Sequence, residues 1–209
     1  MSDVTTSADR ITSIEQLDEI YGTPVPTSVL KEQQHIIEPY RRFIETSPFV
    51  VLATSGPEGL DCSPRGDPAG FVRVVDDHTV MIPDRRGNNR VDSLRNIVRD
   101  PRVALLFLVP GVGETMRING RAVLSLDLEL RESFAMADKV PACVIVVTVE
   151  TIYPQCQKAL VRSKLWDADT QVPRSALPTV GQMMQTIDAG FDGPAYDAAY
   201  PERLRTTIY

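Results

Sequence analysis

Neither GxGxxG nor GxxxxGK[ST] occurs anywhere in the 209 residues, so a nucleotide would have to be held without a Rossmann fingerprint or a P-loop. Histidine is scarce, with His35 and His78 alone, and the three cysteines, Cys62, Cys143 and Cys156, have no CxxC spacing and no histidine close by in sequence. Those absences argue against a metal site, and an odd set of cysteines argues against a disulfide framework. No apolar run approaches the roughly 20 residues that cross a bilayer, and the opening MSDVTTSADR carries no apolar signal core. A cytoplasmic protein without membrane contact is expected. Basic residues are in deficit, 22 against 28 acidic ones for a net charge of -6, which excludes a general affinity for nucleic acid because the field of the whole molecule would oppose it.

What is present is an ordinary globular composition, 43% hydrophobic, on a chain long enough for one domain with a core and terminal extensions. Ser13 and Gln16 stand in capping-box register ahead of Ile14, Leu17 and Ile20, which predicts a short helix that Gly22 to Pro26 ends. A second helical stripe runs from Val29 to Ile44, with Pro39 as a break or restart. From there the pattern turns to strands: 49–55, 60–67, 70–76, 79–84, 102–109, 114–126 and 142–153, with Asp77-His78 at a hairpin turn. Helical patterns fall at 89–98, 127–137, 155–166 and 179–187, and the last twenty or so residues, with Gly190, Gly193, Pro194 and Pro201, read as an arm without a core of its own. Consecutive strands with few helices predict a mainly β protein with flanking helices, built on an antiparallel barrel rather than an alternating βαβ sheet. The expected divisions are a helical extension over 1–47 packed on the barrel, a barrel domain over 48–167, and a helix and arm over 168–209.

The densest set of donors is IPDRRGNNRVDSLRNI, residues 82–97. Gly87 permits a sharp turn, and Asn88 or Asn89 would cap a helix whose unpaired N–H groups suit an anion such as phosphate. Arg90, with Arg85 or Arg86, would add charge-assisted hydrogen bonds. The same residues also allow a solvated turn in which Arg90 and Arg95 pair with Asp92 or Glu129. CSPRGD, residues 62–67, brings Arg65 toward the same end of a meander, where two arginines meeting at one helix terminus favour a phosphate site. Pro64 and Gly66 are equally what an edge strand uses to resist aggregation.

Taken in order, SPFVVLATSGPEG, CSPRGDPAGFVRV, IPDRRGNNRVDSLRNI, DPRVALLFLVPG, ETMRINGRAVL and CQKALVRSKLWD resemble the FMN-binding split-barrel family typified by pyridoxamine 5'-phosphate oxidase, over about Phe43 to Trp166. The resemblance implies an antiparallel split barrel of six to seven strands, FMN as cofactor, and a homodimer with FMN at the interface. It carries cofactor contacts onto Ser63, Pro64, Arg65, Gly66 and Asp67, then Ile82 and Pro83, then Asn88, Asn89 and Arg90, with Thr115 reaching the flavin from a later strand. Asn89 stands where the oxidase has a basic residue, and GFDGPAYDAAYPERLRTTIY offers no counterpart of its substrate-binding arginine and histidine, so vitamin B6 is not the expected substrate.

Lys158, in QCQKALVRSKLWD, is a further candidate at the flavin edge; the ordinary alternative is an amphipathic helix with snorkelling lysines. His35, His78 and the Asp76-Asp77 pair fit helix and turn chemistry better than acid–base work. The resulting expectation is an FMN-dependent oxidoreductase acting with a small-molecule substrate or electron donor. A flavin- or heme-binding protein without turnover and an F420-dependent reductase stand as alternatives.

Overall fold

A computed structural model describes residues 10–209; residues 1–9, most of the stretch read above as lacking a signal core, lie outside the described residues. Seven strands form one antiparallel sheet: β1 (Phe49–Gly56), β2 (Gly59–Gly66), β3 (Arg73–Val74), β4 (Thr79–Pro83), β5 (Arg102–Leu108), β6 (Thr115–Ser125) and β7 (Val144–Gln155). Their order is β2-β1-β5-β6-β7-β4-β3. The sheet is not closed: β2 and β3 are its two edges, so the split-barrel expectation holds with seven strands and flanking helices. Its inner face is lined by Val50, Leu52, Leu105, Phe107, Ile118, Ile145 and Val147, all buried, as the period-2 alternation of half-buried strands requires. Ile44 and Ile97 join the same cluster from two helices.

The N-terminal helices are α1 (Ile14–Tyr21), α2 (Pro26–Leu30) and α3 (Glu38–Thr46). Ser13 caps α1 by accepting from Gln16 N–H at 3.3 Å, while the Gln16 side chain accepts from Thr12 N–H at 2.8 Å. Pro39 lies in the first turn of α3, where its missing N–H breaks nothing, so it starts a helix instead of interrupting one. The strand expected over 70–76 shrinks to Arg73–Val74, because the chain turns through Gly70 at φ 88° before reaching it.

Helix α4 (Asp92–Arg99), between β4 and β5 in the chain, packs on β1, β2 and β6. It starts later than the asparagines predict. Asn89 and Val91 are both left-handed, with φ 61° and 52°, and the Asn88 side chain folds onto its own loop, accepting from Arg90 N–H at 3.0 Å. Neither asparagine therefore caps the helix. Its seat is fixed instead by buried Asn96, whose Nδ2 donates to Thr54 Oγ1 at 3.2 Å beside Gly56, where a Cβ would fall 2.3 Å from Asn96 Oδ1.

The remaining α-helices are α5 (Leu128–Ser133), α6 (Lys158–Ser163), α7 (Val180–Ile187) and α8 (Gly193–Thr207). Helix α5 is shorter than the 127–137 pattern, ending at Ser133 with Phe134 as its C-cap ahead of a turn closed by the Met136–Lys139 bridge, and α6 is shorter than 155–166 because Lys164 turns left-handed at φ 51°. The arm read over the last residues contains a 15-residue helix, α8, capped by Asp192 with Pro201 inside it. No helix among the described residues is long and apolar enough to cross a membrane.

One backbone approach shapes the long β6–β7 ladder. The register slips between Asn119 and Gly120, and a Cβ on Gly120 would lie 2.1 Å from the Thr148 carbonyl oxygen. Gly120→Ala is therefore expected to destabilise the fold by about 1 to 3 kcal/mol, the usual penalty for overpacking a tight site. Urea unfolding checks it: a midpoint equal to that of the parent would show that β7 yields freely.

Candidate functional site

Strand β2 is an edge strand, and its alternation puts Asp61, Ser63 and Arg65 half-buried on one side and Cys62, Pro64 and Gly66 on the exposed side. The inward row is wired together and to α4. Ser63 Oγ donates to Asp61 Oδ2 at 2.9 Å, Ser93 Oγ donates to the same oxygen at 2.5 Å, and an Arg65 terminal nitrogen donates to Ser93 Oγ at 3.3 Å. Another Arg65 nitrogen donates to the Pro64 carbonyl at 3.0 Å. Arg65 Nε is buried and has no hydrogen-bond partner. A guanidinium N–H in that state carries a penalty until an acceptor reaches it.

The row faces a cavity of about 1240 Å³, walled by β2, the 83–94 segment, residues 139–143 and Ile208 with Tyr209. Its volume exceeds the roughly 300 to 1,000 Å³ of most small-molecule sites. Of the residues singled out from sequence, Ser63, Pro64, Arg65, Gly66, Asp67, Pro83, Asn88, Asn89 and Arg90 line it. Arg65 and Arg90 thus border one space. They do so unequally: Arg90 Nε donates to Asp92 at 2.8 Å and its side chain is 75% exposed, which is the surface-pair arrangement the sequence also allowed.

Three of the singled-out residues stand elsewhere. Ile82 is fully buried in the core cluster and leaves the cavity wall to Pro83. Thr115 opens β6, buried between Leu108 of β5 and Gln155 of β7, and Lys158 is exposed at the start of α6. Neither lines the cavity of its own chain.

The walls join singled-out residues to others: Asp67 and Arg85 are read from sequence, whereas sequence reasoning passed over Asp61, Asp84 and Tyr209. Asp67, its side chain 1% exposed, accepts from Arg85 Nε at 2.7 Å and from Tyr209 Oη at 2.8 Å, and Arg85 donates onward to the Phe134 carbonyl at 2.6 Å. Asp84 lines the cavity with its carboxyl pushed above the usual range by burial, an effect the Arg65 charge opposes. The Cys143 thiol is pushed up to about 11 by burial and by the Asp84 charge, so it stays protonated and weakly nucleophilic near neutral pH. Hydrogen bonding to Asp67 likewise holds the proton on Tyr209. Asp61 was legible in principle, two places before Ser63 on the same face; nothing local marks Tyr209.

The arrangement suits an anionic group beside Arg65 and Ser63, next to a space wide enough for a ring system. Among the described residues, no cluster of histidine, cysteine or carboxylate side chains is placed to hold a metal ion.

Solved structures with a similar chain path include HupZ of Group A Streptococcus, 18% identical over 58% of this chain and 94% of that one, with a TM-score of 0.47. An FMN-binding protein of Syntrophomonas wolfei subsp. wolfei is 11% identical over 67% of this chain and 95% of its own, at 0.45. General stress protein 26 of Bacillus anthracis str. Sterne is 17% identical over 54% and 88%, at 0.42. No curated protein matches the chain. Residues 36–156, which include β1 to β7 and therefore the inward row of β2, match the family model for pyridoxamine 5'-phosphate oxidase. With more than half of its length accounted for in this way, the chain belongs to the pyridoxamine 5'-phosphate oxidase family.

Proposed function

We propose that this protein is an FMN-dependent oxidoreductase of the cytoplasm, working as a homodimer on a small-molecule substrate that family membership alone does not name. The observation that carries the reading is Arg65 Nε, buried without an acceptor in a residue that borders a cofactor-sized cavity. A phosphate there would satisfy that N–H and place a doubly charged group against a guanidinium in a site of low dielectric, where charge-assisted hydrogen bonds are strongest. Arg86, Asn88 and Asn89 line the same cavity with further donors, while the Ser63 hydroxyl is given to Asp61. Bound FMN would supply hydride and single-electron transfer at its ring system, leaving the protein to bind, orient and tune.

The homodimer reading is the one under which Thr115 and Lys158 keep a role at the cofactor. Both stand off the cavity of their own chain, so contact with a cofactor would come from a second subunit. The Thr115 hydroxyl would then hydrogen-bond the ring system, and the Lys158 ammonium would favour negative charge developing on it. Asp84 lies on the same cavity wall, where burial pushes its carboxyl upward and the Arg65 charge opposes that effect.

Purified protein is expected to be yellow and to release a species with the mass and spectrum of FMN; a colourless protein that ignores added FMN, or one that releases heme or F420, overturns the assignment. Reduction of the bound flavin by NADH or NADPH and reoxidation by an acceptor distinguishes turnover from storage. Arg65→Ala should weaken FMN binding by about 1.5 to 3 kcal/mol, the range for hydrogen bonds to charged groups. Arg90→Ala, exposed and already paired, should cost under about 1 kcal/mol; titration giving the reverse order would move the phosphate to the helix end. Sedimentation should give twice the 23.1 kDa chain mass, and a monomer that still binds FMN would remove Thr115 and Lys158 from the site.

A further inference from the structure

Beyond the sheet, α7 and α8 pack on one another and on little else. Gly181 and Gly193 bring their backbones so close that a Cβ on Gly181 would meet the Gly193 carbonyl oxygen at 2.3 Å, and Asp197 accepts from Gly181 N–H at 2.9 Å and from the Thr179 hydroxyl. Among the described residues, the only hydrogen bond from residues 172–209 to the rest of the chain is Tyr209 Oη to Asp67 Oδ1, at 2.8 Å. The Tyr209 ring also lies 5.7 Å from the guanidinium carbon of Arg85, which itself donates to the other oxygen of Asp67. One buried carboxylate thus fixes both a cavity arginine and the far end of the chain's last helix pair.

Ile208 and Tyr209 wall the cavity without filling it, since about 1240 Å³ stays open with both in place. A segment tied to the body by one hydrogen bond and one ring contact opens by breaking those few contacts, and such segments are the usual gates of binding sites. We propose that residues 208–209 are a strap across the cavity, latched by the Tyr209 phenol on Asp67, and that Tyr209 controls how fast a small ligand enters and leaves. The proposal rests on the flavin reading only for the identity of that ligand.

Cys143 gives a readout that needs no cofactor, because it lines the same cavity and is buried, while Cys62 and Cys156 are exposed. In the full chain carrying Cys62→Ser and Cys156→Ser, alkylation of Cys143 by N-ethylmaleimide is followed by mass, at one pH, for the parent background, for Tyr209→Phe, and for a deletion of residues 208–209. Tyr209→Phe keeps the ring and removes only the latch. It should speed labelling by about tenfold or more, as losing one hydrogen bond to a charged group implies, and the deletion by at least as much. Rates within twofold of the background in both variants overturn the proposal. So does an equal acceleration of amide exchange in β5 and β6, which would mark global opening. Adding FMN to the background should slow labelling. If FMN neither binds nor protects while the Tyr209 variants still label faster, the flavin reading fails and the strap stands. If FMN protects and the variants change nothing, the strap fails and the flavin reading stands.

Discussion

A strand at the edge of a sheet shows every second side chain to the same neighbour, and the site depends on that constraint acting in β2. It carries Asp61, Ser63 and Arg65 to one wall, and Asp67 continues the row just beyond the strand. Helix α4 turns the row into a pocket. Ser93 and Asn96, one turn apart on its buried face, grip Asp61 and Thr54 respectively, so the helix is tied to the β1–β2 hairpin by polar groups in addition to the packing of Leu94 and Ile97 on the core. A register slip of one residue in β2 would send Arg65 to solvent and Pro64 and Gly66 inward. The pairing of all eight β2 residues with β1 prevents this.

The charge on the cavity wall explains how an acidic protein can present a site for an anion. Arg85 is neutralised by Asp67 and Arg90 by Asp92, and Asp61 has one oxygen saturated by two hydroxyls. Arg65 forms no ion pair among the described residues and keeps one buried N–H unsatisfied. Local field, not net charge, is what a bound phosphate would sense, because low-dielectric walls weaken screening by the bulk. The fixed pairs then serve a different end: they hold the loop from Asp84 to Val91, which has little regular structure of its own.

The strands were legible because alternation and turn residues are local signals, and the cavity end of β2 was legible because Arg65 stands amid Pro64 and Gly66 in a strand that could only be an edge. The start of α4 was not. Asparagine is favoured both as a helix cap and in the left-handed region, and here Asn89 takes the left-handed role while Val91, a β-branched residue rarely found there, follows it. Helix α8 was hidden for another reason. Its proline and glycine content imitates an arm, yet Pro194 falls in the first turn, where no N–H is needed, and no apolar stripe marks its face. The contact between Tyr209 and Asp67 joins positions 142 residues apart, and no periodicity reports a pairing of that range.

That long-range contact changes how Asp67 is understood. A buried carboxylate with one arginine would already be a structural pair, expensive to break from either side. Sharing its second oxygen with a phenol on a separate, weakly attached helix pair makes it a junction between a rigid wall and a movable one. The wall needs Asp67 charged to orient Arg85, and the phenol needs the same charge as its acceptor. The carboxylate that orients Arg85 therefore also anchors the strap, with no second buried charge needed at the attachment.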